Sequence, residues 1–320
     1  MDILIRAEEI RDYFRISEIQ ALAFHREGYI GEIQLVDAQR HGPAYNPHLA
    51  LVAEVDGEVA GHAFFYPHRL QIGGEIVPAV SLAPLAVHPD YQRTGLGARL
   101  LEEGHARARS SGYALSFLLG HESYYPRFGY QMGMFGQAGI QITPAELPAL
   151  ASRLKLRPVI PTDIPRLMEM WYTCFEGVDL ALVPGGSIID WVSHSPTLTS
   201  AVVYEAGELT GYLRYSTLNP GSLTCLLASR KSALLSIISY LGSLASSSPS
   251  EPLTIPLHPN SPLIREADFL PYKPLLVPWK AAMIKILHPD LKVIQEYCQE
   301  VSSGQRVIGS ILYPPIFETA

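Results

Sequence analysis

The sequence predicts an α+β fold laid out twice along one chain of 320 residues. Three observations carry that reading. Turn signals join short apolar segments into hairpins, an apolar strand passes through a glycine-bearing loop into an amphipathic helix, and the first hairpin recurs about 150 residues later.

The elements follow in order. Leu49 to Val55 and Glu58 to Tyr66 read as strands, and the Asp56-Gly57 pair between them supplies the positive φ angles of a tight turn. Arg69 to Val77, with Gly73-Gly74 at its middle, reads as a second hairpin leading into an apolar strand from Val80 to Val87. Pro89 ends that strand. From Gly95 onward the spacing of Leu96, Leu100 and Leu101 predicts an amphipathic helix. Ala114 to Leu119 is another short apolar strand, followed by Gly120-His121-Glu122-Ser123-Tyr124-Tyr125-Pro126-Arg127-Phe128-Gly129-Tyr130.

The loop after Val87 therefore sits at a helix N-terminus, where the first amides lack intrahelical partners and the helix dipole is positive. Such a place takes an anion. Gly95 and Gly97 remove the β-carbons that would hold a phosphate away from those amides. Two nucleotide loops are excluded: no lysine follows Gly97, as a P-loop needs, and the third glycine of a dinucleotide loop is Leu100 here.

What stands here is Gln92-x-x-Gly95-x-Gly97, preceded by the strand Pro84-Leu85-Ala86-Val87 and the turn His88-Pro89-Asp90-Tyr91. This resembles the coenzyme A loop of the GNAT superfamily of acyl-CoA-dependent N-acyltransferases. The Tyr124-Tyr125 pair ahead of Gly129-Tyr130 resembles a second element of the same superfamily. The resemblance covers residues from about 3 to 140 and implies a mixed, mostly antiparallel sheet flanked by helices. It also implies acetyl-CoA as co-substrate, with no metal. Backbone groups of Leu85, Ala86 and Val87 would pair with the pantetheine arm, and the loop Gln92, Arg93, Thr94, Gly95, Leu96, Gly97 and Ala98 would hold the pyrophosphate. Tyr125 falls where many members keep a tyrosine that protonates the departing thiolate. Many members also carry a glutamate as general base on the strand before the loop. Here that position is Ser81, and Glu27, Glu32 and Glu75 are candidates only as carboxylates in the right half.

The second half reads as a worn copy. Gly57-Glu58-Val59-Ala60-Gly61-His62 matches Gly207-Glu208-Leu209-Thr210-Gly211-Tyr212, an offset of 150 (207 − 57), and Arg6 matches Arg157. Thr162 is a candidate helix N-cap, and Pro165 suits an early helical turn. After the strand Leu223 to Ala228 comes Ser229-Arg230-Lys231-Ser232, with no glycine for close phosphate approach. A helix from Ser232 to Leu244 and a strand near Pro252 to His258 follow. This gives an acyltransferase domain over 1–145, a linker over 146–155, a degenerate GNAT-like domain over 156–288 and a tail over 289–320. The tail holds a helix from Leu291 to Val301 and a strand from Val307 to Leu312.

Composition bounds the rest. With 48% hydrophobic and 17% charged residues the chain can bury real cores. A net charge of −7 argues against general nucleic-acid binding and suits a neutral or cationic acceptor, an amine-bearing small molecule or peptide. No apolar run is long enough to span a bilayer, and the N-terminal residues lack a signal-peptide pattern. Cys174, Cys225 and Cys298 match no disulfide framework or metal spacing, which points to a reducing cytoplasm. A monomer or homodimer is expected. A non-catalytic acyl-CoA binder and a scaffold are the other function classes; glycines at both close-approach positions weigh against the scaffold.

Overall fold

The structure, a computed structural model, describes residues 2–24, 31–148, 153–219, 221–244, 252–266, 270–312 and 314–318. Its α-helices are α1 (Tyr13–Phe24), α2 (Gly31–Arg40), α3 (Leu96–Ser110), α4 (Ile164–Phe175), α5 (Lys231–Leu244), α6 (Pro262–Arg265) and α7 (Lys292–Ser302). The strands of the first half are β1 (Ile3–Ala7), β2 (Ala50–Val55), β3 (Glu58–Ile72), β4 (Glu75–Val87), β5 (Leu115–Leu119), β6 (Gln131–Met132) and β7 (Gly136–Ile142). Those of the second are β8 (Leu154–Pro158), β9 (Ala181–Leu182), β10 (Leu198–Glu205), β11 (Glu208–Ser216), β12 (Leu223–Ala228), β13 (Leu253–Ile255), β14 (Lys273–Pro278) and β15 (Ala282–Ile286).

The hairpin signals produce the first sheet, in the order β1-β2-β3-β4-β5-β15-β6, with β9 added beside β3. Asp56 and Gly57 take φ of 51° and 90° between β2 and β3, and Gly73 and Gly74 take 58° and 83° between β3 and β4. The second hairpin is longer than the sequence suggests, because β3 runs unbroken from Glu58 to Ile72 and Pro67 is accommodated opposite Val80. Helix α3 packs Leu96, Leu100 and Leu101, each no more than 1% exposed, on one face of the sheet beside Phe65. Gly104 lies under the Phe65 ring, which occupies the space a β-carbon there would need. The other face carries Phe64 and Tyr66 against Ile16 and Ile19 of α1. The described part is thus an α+β fold with a mixed, mostly antiparallel sheet between helices, as the sequence resemblance implies.

The second half builds its own sheet, in the order β12-β11-β10-β8, with α4 and α5 in one apolar core. The antiparallel run β1-β2-β3-β4 and the run β8-β10-β11-β12 correspond in order and detail. Ala206 and Gly207 repeat the turn with φ of 51° and 88°, and a bulge between Ala53 and Glu54 recurs between Val203 and Tyr204.

Four sequence expectations change. The segment of β14 and β15, expected inside the second domain, returns to the first half: β15 pairs with β5 and β6, and β14 with β7. A boundary at residue 288 therefore cuts across the hydrogen-bonded order, since the exposed edge of β5 is completed from far along the chain. Thr162 is not a cap; the Asp163 carboxylate accepts the Ile160 amide at 2.9 Å instead, and a 3-10 turn, Pro161–Asp163, leads into α4. Residues 307–312 form no regular strand, only a single bridge from Gly309 to Phe135. The strand near Pro252 to His258 shortens to Leu253–Ile255 and joins β7 rather than the second sheet. Much of the expected linker (149–152), the Ser246 to Ser250 loop, Glu27 and Ala320 lie outside the described residues. No described helix is long and apolar enough to cross a membrane, and no group of His, Cys, Asp or Glu among the described residues could hold a metal ion.

Candidate active site

Strand β4 is where the geometry opens. It pairs in parallel with β5 only at Ala79, Val80 and Ser81, opposite Leu115, Ser116 and Phe117. Beyond Ser81 the two strands part, while β4 stays paired to β3 as far as Val87 and β5 stays paired to β15 as far as Leu119. The edge of Leu85, Ala86 and Val87 that faces away from β3 is left without a strand partner. An extended chain with amide groups can pair there as an added strand would.

The loop at the end of that edge is held in shape by its own side chains. Gln92 donates from Nε2 to the Val87 carbonyl at 3.1 Å, and Thr94 donates from Oγ1 to the Tyr91 carbonyl at 2.6 Å. Arg93 and Gly95 both take positive φ, 64° and 89°, so Gly95 is the residue type its backbone favours. The Gln92 amide bonds to Pro89 and the Arg99 amide to Gly95, but the amides of Arg93, Thr94, Gly95, Leu96, Gly97 and Ala98 have no partner among the described residues. Six unpartnered amides at the start of a fifteen-residue helix offer the hydrogen-bond donors that an anion could use. Gly97 serves a second purpose: a β-carbon there would stand 2.9 Å from the Tyr124 hydroxyl, so its absence lets that hydroxyl sit over the helix start.

Tyr125 opens a 3-10 turn, Tyr125–Phe128, just after β5. Its ring covers Gly120, where a β-carbon would collide with it, and meets Tyr124 and Tyr130 edge-on with centroids 5.1 Å and 5.8 Å away. Burial raises its pKa well above the ordinary tyrosine value, so the hydroxyl keeps its proton, and it makes no hydrogen bond among the described residues. The turn is anchored by Lys285 of β15, whose Nζ donates to the Phe128 carbonyl at 2.6 Å.

On the opposite face of the sheet from α3 lies a cavity of about 430 Å³ between the two halves. Tyr66 and His68 of β3 form one wall, and Trp171, Trp191, Tyr212 and Arg214 of the second half form another. Asp190 also lines it, its carboxyl pushed up by burial, while Arg214 is held by Glu318 at 2.6 Å. Ser81 accepts or donates a hydrogen bond at 2.9 Å with His68 Nε2. Sequence reasoning does not single out His68 as a site residue. The usable signal is alternation: Tyr66 and His68 share one face of β3, and an antiparallel hairpin turning at Gly73-Gly74 brings that face to Ser81.

Among the described residues the second half has no matching loop. Only Ser229 and Arg230 connect β12 to α5, the Ser229 amide is tied to the Thr210 carbonyl, and Arg230 is paired with Glu208. Among the described residues, strand β12 lies at the end of its sheet with no parallel neighbour to part from.

Residues 4–133 match the family described as an acetyltransferase (GNAT) domain. The chain is 37% identical over 118 residues to the uncharacterized N-acetyltransferase YjhQ of Escherichia coli K12, a match that covers 36% of this chain and 62% of that protein. It is 37% identical to a GNAT family acetyltransferase from Brucella melitensis solved in complex with acetyl-CoA, covering 41% of this chain and 83% of that one with a TM-score of 0.37. Across nearly its whole length it shares a fold with the GCN5-related N-acetyltransferase from Kribbella flavida, at 19% identity and a TM-score of 0.63, covering 89% of this chain and 71% of that one. The chain belongs to the GNAT acetyltransferase family through its first half. It spans less than two thirds of the length of the curated relatives it matches first.

Proposed function

We propose that the chain is an N-acetyltransferase that moves an acetyl group from acetyl-CoA to an amine acceptor by direct attack on the thioester. The observation that carries this is the juxtaposition of two backbone arrays, the edge of β4 that has no strand partner and the six unpartnered amides at the start of α3. Pantetheine pairs with Leu85, Ala86 and Val87, and the pyrophosphate lies on Arg93 to Ala98. The thioester then sits where β4 and β5 part, beside Ser81 and the cavity.

Catalysis follows from placement. The amine attacks the carbonyl carbon, a β4 amide meets the developing oxyanion, and Tyr125 gives its proton to sulfur as the carbon–sulfur bond breaks. The second half, with no anion site, walls the acceptor cavity. The acceptor is a small-molecule or peptide amine, and the free thiols of Cys174, Cys225 and Cys298 suit a reducing cytoplasm. Incubating the pure protein with acetyl-CoA and an amine library, while following free thiol, tests the reading. Amine-dependent thiol release supports it; tight acetyl-CoA binding with no amine-dependent release across the library replaces it with a non-catalytic binder.

A further inference from the structure

We propose that His68 is the general base of this acyl transfer and that Ser81 is the positioning residue that fixes its ring, an inference that rests on the acetyltransferase reading above. The position where a carboxylate base is expected holds serine, and a hydroxyl at its ordinary pKa takes up no proton near neutrality. The structure puts an imidazole against that hydroxyl. His68 is two residues from Tyr66, which pairs with Ser81 across the hairpin, so both side chains stand on the cavity face, and His68 Nε2 lies 2.9 Å from Ser81 Oγ.

The place is right for the chemistry. Ser81 and Phe117 are the last paired residues before β4 and β5 part, and the His68 ring packs 5.3 Å from that of Phe117. Tyr66, at 5.3 Å, and Phe317, at 5.6 Å, hold the ring on its other sides. When Nε2–H donates to Ser81, Nδ1 keeps its lone pair. Nδ1 has no hydrogen-bond partner among the described residues, and the His68 side chain lines the cavity. Burial holds the imidazole neutral, with its pKa pushed down to about 3. The ring is therefore unprotonated before the step; its placement beside Ser81 and the cavity is what suits it to the role, since so low a value by itself makes a weak base.

Protons and electron pairs balance through the reaction. The nitrogen lone pair forms the N–C bond while the carbonyl π pair moves to oxygen, and the N–H proton passes to His68 Nδ1. The oxygen pair then reforms the carbonyl, the C–S bond breaks, and sulfur takes the Tyr125 proton. Imidazolium and phenolate return to their starting forms by exchange with water. Charged or titratable groups around the cavity beside His68 are Tyr66 and Arg69 on β3, Tyr113 before β5, Asp190, Tyr212, Arg214 and Cys225 on the facing wall, and Glu318 on the terminal segment.

The test uses the full chain, an amine that the wild type acetylates, and two variants, His68→Ala and His68→Gln, with Ser81→Ala beside them. Turnover is expected to fall by about 10²-fold or more in both His68 variants. Acetyl-CoA affinity is expected to stay within about threefold of wild type, because the imidazole acts on the amine and not on the coenzyme. Added imidazole should restore turnover to His68→Ala, with substituted imidazoles ranking by their basicity, which a merely structural loss would not do. Ser81→Ala should lose less than either. Retention of more than a third of turnover in both His68 variants, or loss without rescue by any imidazole, overturns the role of His68 and leaves the acetyltransferase reading standing. A wild type that binds no acetyl-CoA overturns both.

Discussion

Arg157 grips Asp163 through two hydrogen bonds of 2.7 Å, and Arg6 grips Asp12 the same way at 2.6 and 2.8 Å. Each arginine also donates to the carbonyl of the next residue, Pro158 or Ala7, at 2.9 Å. Each aspartate accepts the amide three residues before it, Ile160 or Glu9. Where Arg6 meets Glu54, Arg157 meets Tyr204. One strand-to-helix corner has been built twice, and the second copy has lost a charge but kept the clamp.

The clamp should carry stability in both halves. Hydrogen bonds to buried charged groups contribute about 1.5–3 kcal/mol each before losses elsewhere. Asp163→Ala and Asp12→Ala are expected to lower unfolding stability by about 1–3 kcal/mol, read as a shifted urea midpoint. Asp163→Ala should leave acetyl-CoA affinity unchanged, since the proposed coenzyme loop lies in the first half; a tenfold loss of affinity would tie that corner to the ligand.

Acetyl-CoA should bind at one site per chain. Calorimetry on the full chain is expected to give a stoichiometry near one, and the double variant Gly95→Asp/Gly97→Asp should abolish binding by placing carboxylates against the pyrophosphate. Two equivalent sites, or binding kept in the double variant, would show that the loop after β4 is not the cradle.

Tyr125→Phe should lower turnover about 10²- to 10⁴-fold with little change in acetyl-CoA affinity, the pattern of an interaction made in the transition state. The hydroxyl has no other work, being free of hydrogen bonds among the described residues. A variant that keeps more than about a third of turnover, with chemistry rate-limiting, would reduce Tyr125 to packing.

Acid should destabilise the fold well before carboxylates titrate. Burial pushes His68 and His105 down to a pKa of about 3 and lowers His62 as well. An unfolded chain binds those protons near the ordinary histidine pKa of about 6.5, so between about pH 3 and 6.5 protons favour the unfolded state. Stability is therefore complete above about pH 7 and falls as pH drops, by up to about 1.4 kcal/mol per pH unit for each histidine. Glu8, lowered to about 2 by hydrogen bonds from His62 and Arg40 that outweigh its burial, extends the loss below about pH 4. Urea midpoints that agree at about pH 5 and pH 7.5 would contradict this.

Much of the candidate site is legible in the sequence because its parts are local. Gly95 and Gly97, the strand ahead of them and the helix behind lie within one short stretch, and backbone geometry there follows from residue type. Turns at Asp56-Gly57 and Ala206-Gly207 are legible for the same reason. His68 is not, since its meaning comes from Ser81, thirteen residues on, through a strand register that alternation alone leaves open.

The hairpins, the glycine-bearing loop after β4, the helix it opens and the absence of its glycines after β12 follow from the sequence alone, all products of local φ/ψ preference and apolar periodicity. Tertiary structure alone decided how the site is finished. The β5 edge needed hydrogen-bond partners and found them in β15, which brings Lys285 to the Phe128 carbonyl and so secures the turn bearing Tyr125. The cavity likewise depends on long-range contacts: Gln71 of β3 bonds the Phe175 and Val178 carbonyls and β9 pairs with β3, which brings α4 and its aromatic neighbours onto the first sheet. Partners so far apart in sequence are chosen by which buried polar groups remain unsatisfied once the core has closed, and that is a property of the folded whole.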